Sequence, residues 1–426
     1  MNIVLFTNTY KPHVGGVARS VTAFRDEFRR AGHRVLVVAP TFPDMPPEED
    51  VVRVPALQNF NASDFSVALP LPSGLNATLE AFAPDVIHAQ HPFLLGMTAV
   101  RAARTFSVPL VFTHHTRYEE YTHYVPVASP GLKTFVIELA TRYANLADRV
   151  IAPSESIRDL LVERGVTTPV QVIPTGVYVD QFASGDRAGA RRRWGVPEGA
   201  FVVGHMGRLA EEKNIGFLAA AVAAFLAQEA DRYFLVVGSG DAADALCAPF
   251  RAAGLEDRLV RCGVLEGRAL ADAMNAMDVF AFASRSETQG MVLTEAMAAG
   301  LPVVALDAPG VREVVRDGEN GRLLAEAEQG TFADALRWVQ ARLVAGEGSL
   351  VAGARATAEA FSMARSADQA IACYRELHRR SGAERAERED LWDQVRNRIR
   401  AELEILGSLT AAGDEALEGL QKPGED

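Results

Sequence analysis

The chain has 426 residues, a hydrophobic fraction of 48% and a formal net charge of −12. That length is too great for one ordinary core and suits two domains of nearly two hundred residues each, and the acidic balance disfavours nucleic acid as a general partner. No apolar run approaches the roughly 18 residues needed to span a bilayer, and Ile3-Val4-Leu5-Phe6 follows the start without a basic n-region, so no signal peptide is expected.

In chain order, short β-branched runs at 3–6, 35–39, 51–54, 86–88, 110–113, 150–152 and 170–173 alternate with stretches of helical period near 18–31, 93–105, 132–147 and 156–164. Ser154 stands where the last of these helices needs an N-cap. Near-continuous apolar strands separated by helices read as a parallel sheet covered on both faces, which assigns 1–180 to a first Rossmann-like domain. A polar stretch at 181–197, with Arg191-Arg192-Arg193, reads as a solvated linker. The alternation restarts over 198–363, with strands at 201–205, 234–237, 259–261, 279–282 and 303–305. The fold class is therefore α/β, two consecutive doubly wound parallel-sheet domains. A helix over 364–380 follows. In the acidic segment 381–426, Leu391, Val395, Ile399, Leu403 and Leu406 form one apolar helix stripe before a tail. That segment holds 12 acidic against 6 basic residues. Cys247, Cys262 and Cys373 form no CxxC or zinc pattern, which fits buried thiols in a reducing compartment.

Four loops carry candidate chemistry. After the first strand, Tyr10-Lys11-Pro12-His13-Val14-Gly15-Gly16 leads into a helix, and paired glycines let backbone amides approach a phosphate there. The loop does not match Gly-x-Gly-x-x-Gly, which disfavours an ordinary NAD site. After the strand at 110–113, His114-His115-Thr116-Arg117-Tyr118-Glu119-Glu120-Tyr121 gathers polar and aromatic groups; adjacent His114 and His115 point different ways, which disfavours a metal. In the second domain, Gly207-Arg208-Leu209-Ala210-Glu211-Glu212-Lys213-Asn214 follows a strand and precedes a helix. Arg208 offers a planar fork and Lys213 a point charge, two cations that can converge on a diphosphate from different sides. Gly238-Ser239-Gly240 reads first as a structural turn. The densest motif is Ser284-Arg285-Ser286-Glu287-Thr288-Gln289-Gly290-Met291-Val292-Leu293-Thr294-Glu295. Glu287 falls on a loop at the carboxyl edge of the sheet, where open α/β folds bind ligands, and Glu295 about one turn into the next helix. The bland alternative has Glu287 capping that helix and Glu295 solvating its outer face.

This last stretch resembles the Glu-x7-Glu signature of the retaining, GT-B glycosyltransferases of group 1, family 4 type, and the resemblance covers residues 1 to about 380. It implies two Rossmann-like domains facing across a cleft, the nucleotide on the C-terminal domain and the acceptor on the N-terminal one. It further implies that Glu287 contacts donor-sugar hydroxyls and Glu295 the ribose, and that amides of Gly290, Met291, Val292 and Leu293 contact sugar and phosphate. Arg208 and Lys213 would hold the diphosphate, Gly15 and Gly16 would line the donor, and His115 would help form the reaction centre. Because that geometry sets Glu287 against hydroxyls, same-face attack is expected rather than double displacement. With no Asp-x-Asp motif, no obligatory metal and no cofactor beyond the nucleotide-sugar co-substrate are expected.

Tyr118, Glu119 and Tyr121 are candidates for the acceptor pocket. The Tyr-Glu-x-Tyr run, with Glu287-Thr288-Gln289-Gly290, looks most like bacterial diacylglycerol glucosyltransferases, which implies a UDP-glucose-type donor, a lipid acceptor and a cytoplasmic protein in peripheral contact with the inner membrane face. The apolar segment 59–75, with Phe60, Phe65, Val67, Leu69, Leu71 and Leu75, suits either such contact or an ordinary strand and turn. The alternatives are a soluble sugar, sugar phosphate or small-metabolite acceptor, an epimerase on the same architecture, and a non-catalytic nucleotide-sugar sensor or scaffold.

Overall fold

The computed structural model describes residues 1–13, 15–42, 47–57, 67–68, 74–119, 130–285 and 287–386. The chain divides into two compact units, one from Met1–Pro174 with the chain from Ala367 onward, the other Thr175–Ser366.

The first unit opens with β1 (Asn2–Phe6), α1 (Gly16–Arg30), β2 (Arg34–Pro40) and β3 (Val51–Val54). A short antiparallel pair, β4 (Ala56–Leu57) and β5 (Val67–Ala68), precedes α2 (Leu75–Phe82), β6 (Val86–Ala89) and α3 (Leu95–Thr105). The unit continues through β7 (Leu110–Thr113), α4 (Pro130–Ala144), β8 (Arg149–Ala152), α5 (Glu155–Glu163) and β9 (Val170–Val172). Ser154 caps α5, accepting from the Ile157 amide at 3.3 Å, as its position predicts. The main sheet runs β3-β2-β1-β6-β7-β8-β9, every neighbour parallel. Its central strands are buried along their whole length, which explains their unbroken apolar runs.

The second unit comprises α6 (Val179–Ala183), α7 (Arg187–Arg193), β10 (Phe201–Met206), α8 (Ile215–Leu226), β11 (Arg232–Val237) and α9 (Ala243–Ala252). It continues with β12 (Leu259–Gly263), α10 (Gly267–Ala276), β13 (Val279–Phe282), α11 (Met291–Ala298), β14 (Val303–Leu306) and β15 (Gly321–Leu324). Helices α12 (Gln329–Val344) and α13 (Ser349–Ala360) close it. Six parallel strands lie in the order β12-β11-β10-β13-β14-β15, with an apolar core on each face. Strand β15, short and flanked by polar turns, has no run long enough to stand out in the sequence.

Three expectations change. Residues 181–197 are not a solvated linker. Helices α6 and α7 pack inside the second unit, and Arg191 is only 2% exposed. Its guanidinium donates to the carbonyls of Ala276, Glu198 and Ala200 at 3.0, 2.6 and 2.8 Å and to Asp278 at 2.8 Å. A buried arginine is tolerable only when so fully paired. The thiols also differ from expectation, since only Cys373 is buried and Cys247 and Cys262 are half-buried. Finally, the closing helix α14 (Met363–Ala386) is longer than its periodicity suggests. It is tied to the first unit through the Tyr374 hydroxyl, 2.6 Å from His88 Nδ1, and the Glu376 carboxylate, 3.2 Å from Arg149. The apolar stripe from Leu391 onward and most of 59–75 lie outside the described residues.

Candidate functional site

In each sheet the chain order reverses between two neighbouring strands, β1 and β6 in the first unit, β10 and β13 in the second. The connections leaving such a pair diverge to opposite faces and open a crevice beyond the carboxyl ends, the usual ligand position in open α/β sheets. Every loop singled out from the sequence leaves the carboxyl end of a strand: β1 and β7 in the first unit, β10 and β13 in the second.

In the second unit the reversal joins residues distant in the chain. The loop after β10 brings Lys213, and the loop after β13 brings Glu287. Lys213 Nζ donates to Glu287 Oε1 at 2.5 Å, with both side chains largely buried. Arg208 is half-exposed and pairs with Glu212 four residues along the same loop. Both cations expected to meet a diphosphate thus lean on carboxylates, and an anionic ligand would have to compete for them. Gly290 is the N-cap of helix α11, its φ of +71° favours glycine, and no side chain caps the helix. Glu287 is therefore not the cap of the bland alternative. Nor does Glu295 solvate an outer face, since it is 4% exposed. Met291 and Val292 are half-buried at the helix start, whereas the Leu293 amide donates to the Gly290 carbonyl at 2.9 Å and its side chain enters the core.

One support of the site escaped sequence reasoning, and a second was read there as a structural turn. Gln289 is buried and clamps the start of the unit, its Oε1 accepting from the Thr175 amide at 2.8 Å and its Nε2 donating to the Thr175 carbonyl at 2.5 Å. Its place beside Glu287 was visible, but a partner 114 residues away was not. The Gly238-Ser239-Gly240 turn carries the Arg208 loop. Leu209 N–H donates to Ser239 O at 2.9 Å, and a Cβ on Gly238 would stand 1.9 Å from the Gly207 carbonyl.

In the first unit, Gly15 is the N-cap of α1, with no side-chain cap and no acidic residue in the first turn, and the His13 ring lies against it. The preceding Tyr10 is fully buried, and its hydroxyl accepts from Arg25. At the end of β6 and beyond β6 and β7 lies a histidine cluster. His88 Nε2 stands 2.7 Å from Thr113 Oγ1, His91 Nδ1 accepts from the Asn8 amide at 3.1 Å, and half-buried His115 stands 2.7 Å from Gln90 Oε1. Burial pushes His88 and His91 down to about 3 and His114 to about 4. His115 is also lowered well below its ordinary value, by burial first and then by neighbouring imidazoles. These rings are neutral at pH 7. Among the described residues, neither His114 ring nitrogen nor the Tyr118 hydroxyl has a hydrogen-bond partner, and the two rings meet edge-on at 5.4 Å. Glu119 is held by Arg164 at 2.6 Å and Arg117 at 3.3 Å. Burial alone would raise its pKa, but the Arg164 hydrogen bond, a backbone hydrogen bond and then the charge of Arg117 outweigh that and lower it. Its carboxylate is thus an anchor of the loop rather than a free base. Tyr121 and Val14 lie outside the described residues. Among the described residues, no three His, Cys, Asp or Glu side chains stand close enough to hold a metal ion.

Residues 14–181 match the family described as Glycosyltransferase Family 4, and residues 200–341 match Glycosyl transferases group 1. An alpha-monoglucosyldiacylglycerol synthase of Streptococcus pneumoniae is 32% identical over 76% of this chain and 75% of its own. A GDP-mannose-dependent alpha-mannosyltransferase of Mycobacterium tuberculosis is 33% identical over 77% of this chain and 85% of its own. A D-inositol 3-phosphate glycosyltransferase of Geodermatophilus obscurus is 36% identical over 68% and 66%. Among solved structures, HepE of Anabaena in complex with UDP superposes with a TM-score of 0.70 at 23% identity, covering 88% of this chain and all of that one. The chain belongs to the group 1, family 4 type glycosyltransferases and has the GT-B fold.

Proposed function

We propose that this glycosyltransferase moves a hexose, with retention of anomeric configuration, from a nucleoside diphosphate sugar of the UDP-glucose type to a membrane lipid of the diacylglycerol class. The observation that carries the reading is the Lys213–Glu287 pair at the strand-order reversal of the second unit, with Arg208 on the same loop as Lys213. There the carboxylate meets sugar hydroxyls, Glu295 meets the ribose, and the two cations with the amides at the start of α11 take up charge as the diphosphate leaves. The anomeric carbon–oxygen bond breaks with its electrons on the phosphate oxygen. The acceptor oxygen attacks from the same face and passes its proton to that phosphate. Within the first unit, neutral His115 and Tyr118 are the groups offered to the acceptor. No metal is required in this scheme, so transfer should survive EDTA.

The lipid acceptor is supported by the relatives named alpha-monoglucosyldiacylglycerol synthase in Streptococcus pneumoniae and Acholeplasma laidlawii. No helix among the described residues is long and apolar enough to cross a membrane, so contact with lipid would be peripheral. The relative named D-inositol 3-phosphate glycosyltransferase, at 36% identity, favours a second reading with a soluble polyol phosphate as acceptor. Those called GDP-mannose-dependent widen the donor choice to GDP-mannose. The test is a matrix of UDP-glucose and GDP-mannose against diacylglycerol vesicles and inositol phosphate, with the product's anomeric centre read by NMR. An α-linked glucosyl lipid is expected from UDP-glucose. A β-linked product would overturn retention, transfer to inositol phosphate alone would overturn the lipid acceptor, and bound donor without hydrolysis or transfer would point to a sensor.

A further inference from the structure

Buried polar atoms without a partner are costly and therefore rare in a folded chain. In the second unit three such atoms belong to the strand ends and loop that carry Lys213 and Glu287. His205, near the end of β10, is 2% exposed, with the rings of Phe280 and Phe282 stacked 6.1 and 6.2 Å away. Its Nδ1 lies 3.0 Å from the Ala281 carbonyl, while its Nε2 has no partner among the described residues. Asn214 directly follows Lys213 in a left-handed conformation, φ +56°, and its side-chain Nδ2 is buried with no partner among the described residues. Ser284, just past β13, is 1% exposed, and its Oγ is in the same position. Residues 205, 214 and 284 are far apart in sequence, but β10 and β13 are neighbouring strands and Asn214 sits at the start of α8.

The donor and acceptor roles narrow the missing partner. A carbonyl only accepts, so His205 Nδ1 carries the proton. Burial, with a smaller contribution from the Lys213 ammonium, pushes the ring down to about 4 despite the Ala281 hydrogen bond, and Nε2 is a bare lone pair at pH 7. That atom needs a donor, which an ionised diphosphate does not possess. The Asn214 amide nitrogen needs an acceptor, and the Ser284 hydroxyl can play either part. A hydroxyl both donates and accepts. We propose that His205, Asn214 and Ser284 form a hydroxyl-binding subsite next to the Lys213–Glu287 pair, which recognises the transferred hexose of the nucleotide sugar rather than its diphosphate. This rests on the reading that the second unit holds the nucleotide sugar. Water offers the same chemistry and is the rival occupant.

Calorimetric titration of the full chain with UDP, UDP-glucose, GDP and GDP-mannose separates these cases. His205→Phe keeps an aromatic ring on Phe280 and Phe282, and Asn214→Gly suits the left-handed backbone, so both should fold, as thermal melting will check. Each variant is expected to bind the nucleotide sugar about tenfold or more weakly than the unsubstituted protein and the matching nucleoside diphosphate within about twofold. Equal losses for sugar nucleotide and diphosphate, or no loss for either, would overturn the subsite and leave water or packing as its occupant. If the unsubstituted protein bound none of the four ligands, the donor reading itself would fall, a separate and recognisable failure.

Discussion

The two units share a parallel sheet with one reversal of strand order, yet their carboxyl edges are electrostatic opposites. The second unit presents Arg208, Lys213 and Glu287, charged groups paired with one another or with Glu212. The first presents His88, His91, His114 and His115, which burial keeps uncharged, and the Glu119 carboxylate of the same loop is tied to Arg164 and Arg117. One topology thus supplies two kinds of strand-end edge, one lined by paired charges and one by uncharged imidazoles. The difference arises from which side chains stand at the strand ends, since the backbone frames are alike.

The sharpest break in this contrast is removal of the cations. Arg208→Ala with Lys213→Ala should lower kcat by about a thousandfold or more, because stabilisation of the leaving group is lost; near-normal turnover of sugar nucleotide would refute the diphosphate role. Glu287→Gln should cost about a hundredfold in kcat/KM while also freeing Lys213, and a variant with unchanged kcat/KM would remove Glu287 from the site. On stability, Asp278→Ala strips the buried Arg191 of its counter-charge and should cost about 3–5 kcal/mol in urea unfolding, against the near-zero loss that a solvated linker would give. A last effect concerns pH. Unfolded imidazoles take up protons near 6.5, whereas the buried rings resist them until about 3 to 4. The unfolded state therefore binds more protons in that window, and stability is full above 6.5 and falls as the pH drops towards the folded values. Four such rings stand at the edge of the first unit and His205 in the second. Hydrogen exchange at pH 7 and pH 5 should therefore show β6 and β7 losing more protection than β10 and β13.

Much of this arrangement was legible before any coordinates. Alternating apolar runs and helical periods located all seven strands of the first main sheet and five of the six in the second, and loop position after a strand marked Lys213, Glu287 and the His114-His115 stretch as worth attention, with the family resemblance selecting His115. These are local signals, carried by periodicity within a dozen residues. Arg191 was misread because a run of three arginines carries no mark of which one turns inward. His205 and Ser284 were passed over because a single polar residue at a strand end is unremarkable until its neighbours are known.

By itself the sequence determined the class of fold, the order of its elements and the chemical types available at each strand end. Only the tertiary structure decided that Lys213 meets Glu287 across 74 residues, that Gln289 grips Thr175 across 114, and that Glu295 is buried. The physical reason is that strand order and burial are properties of the closed sheet. Spatial neighbours are set there by hydrogen-bonded strand pairing, which no window along the chain contains.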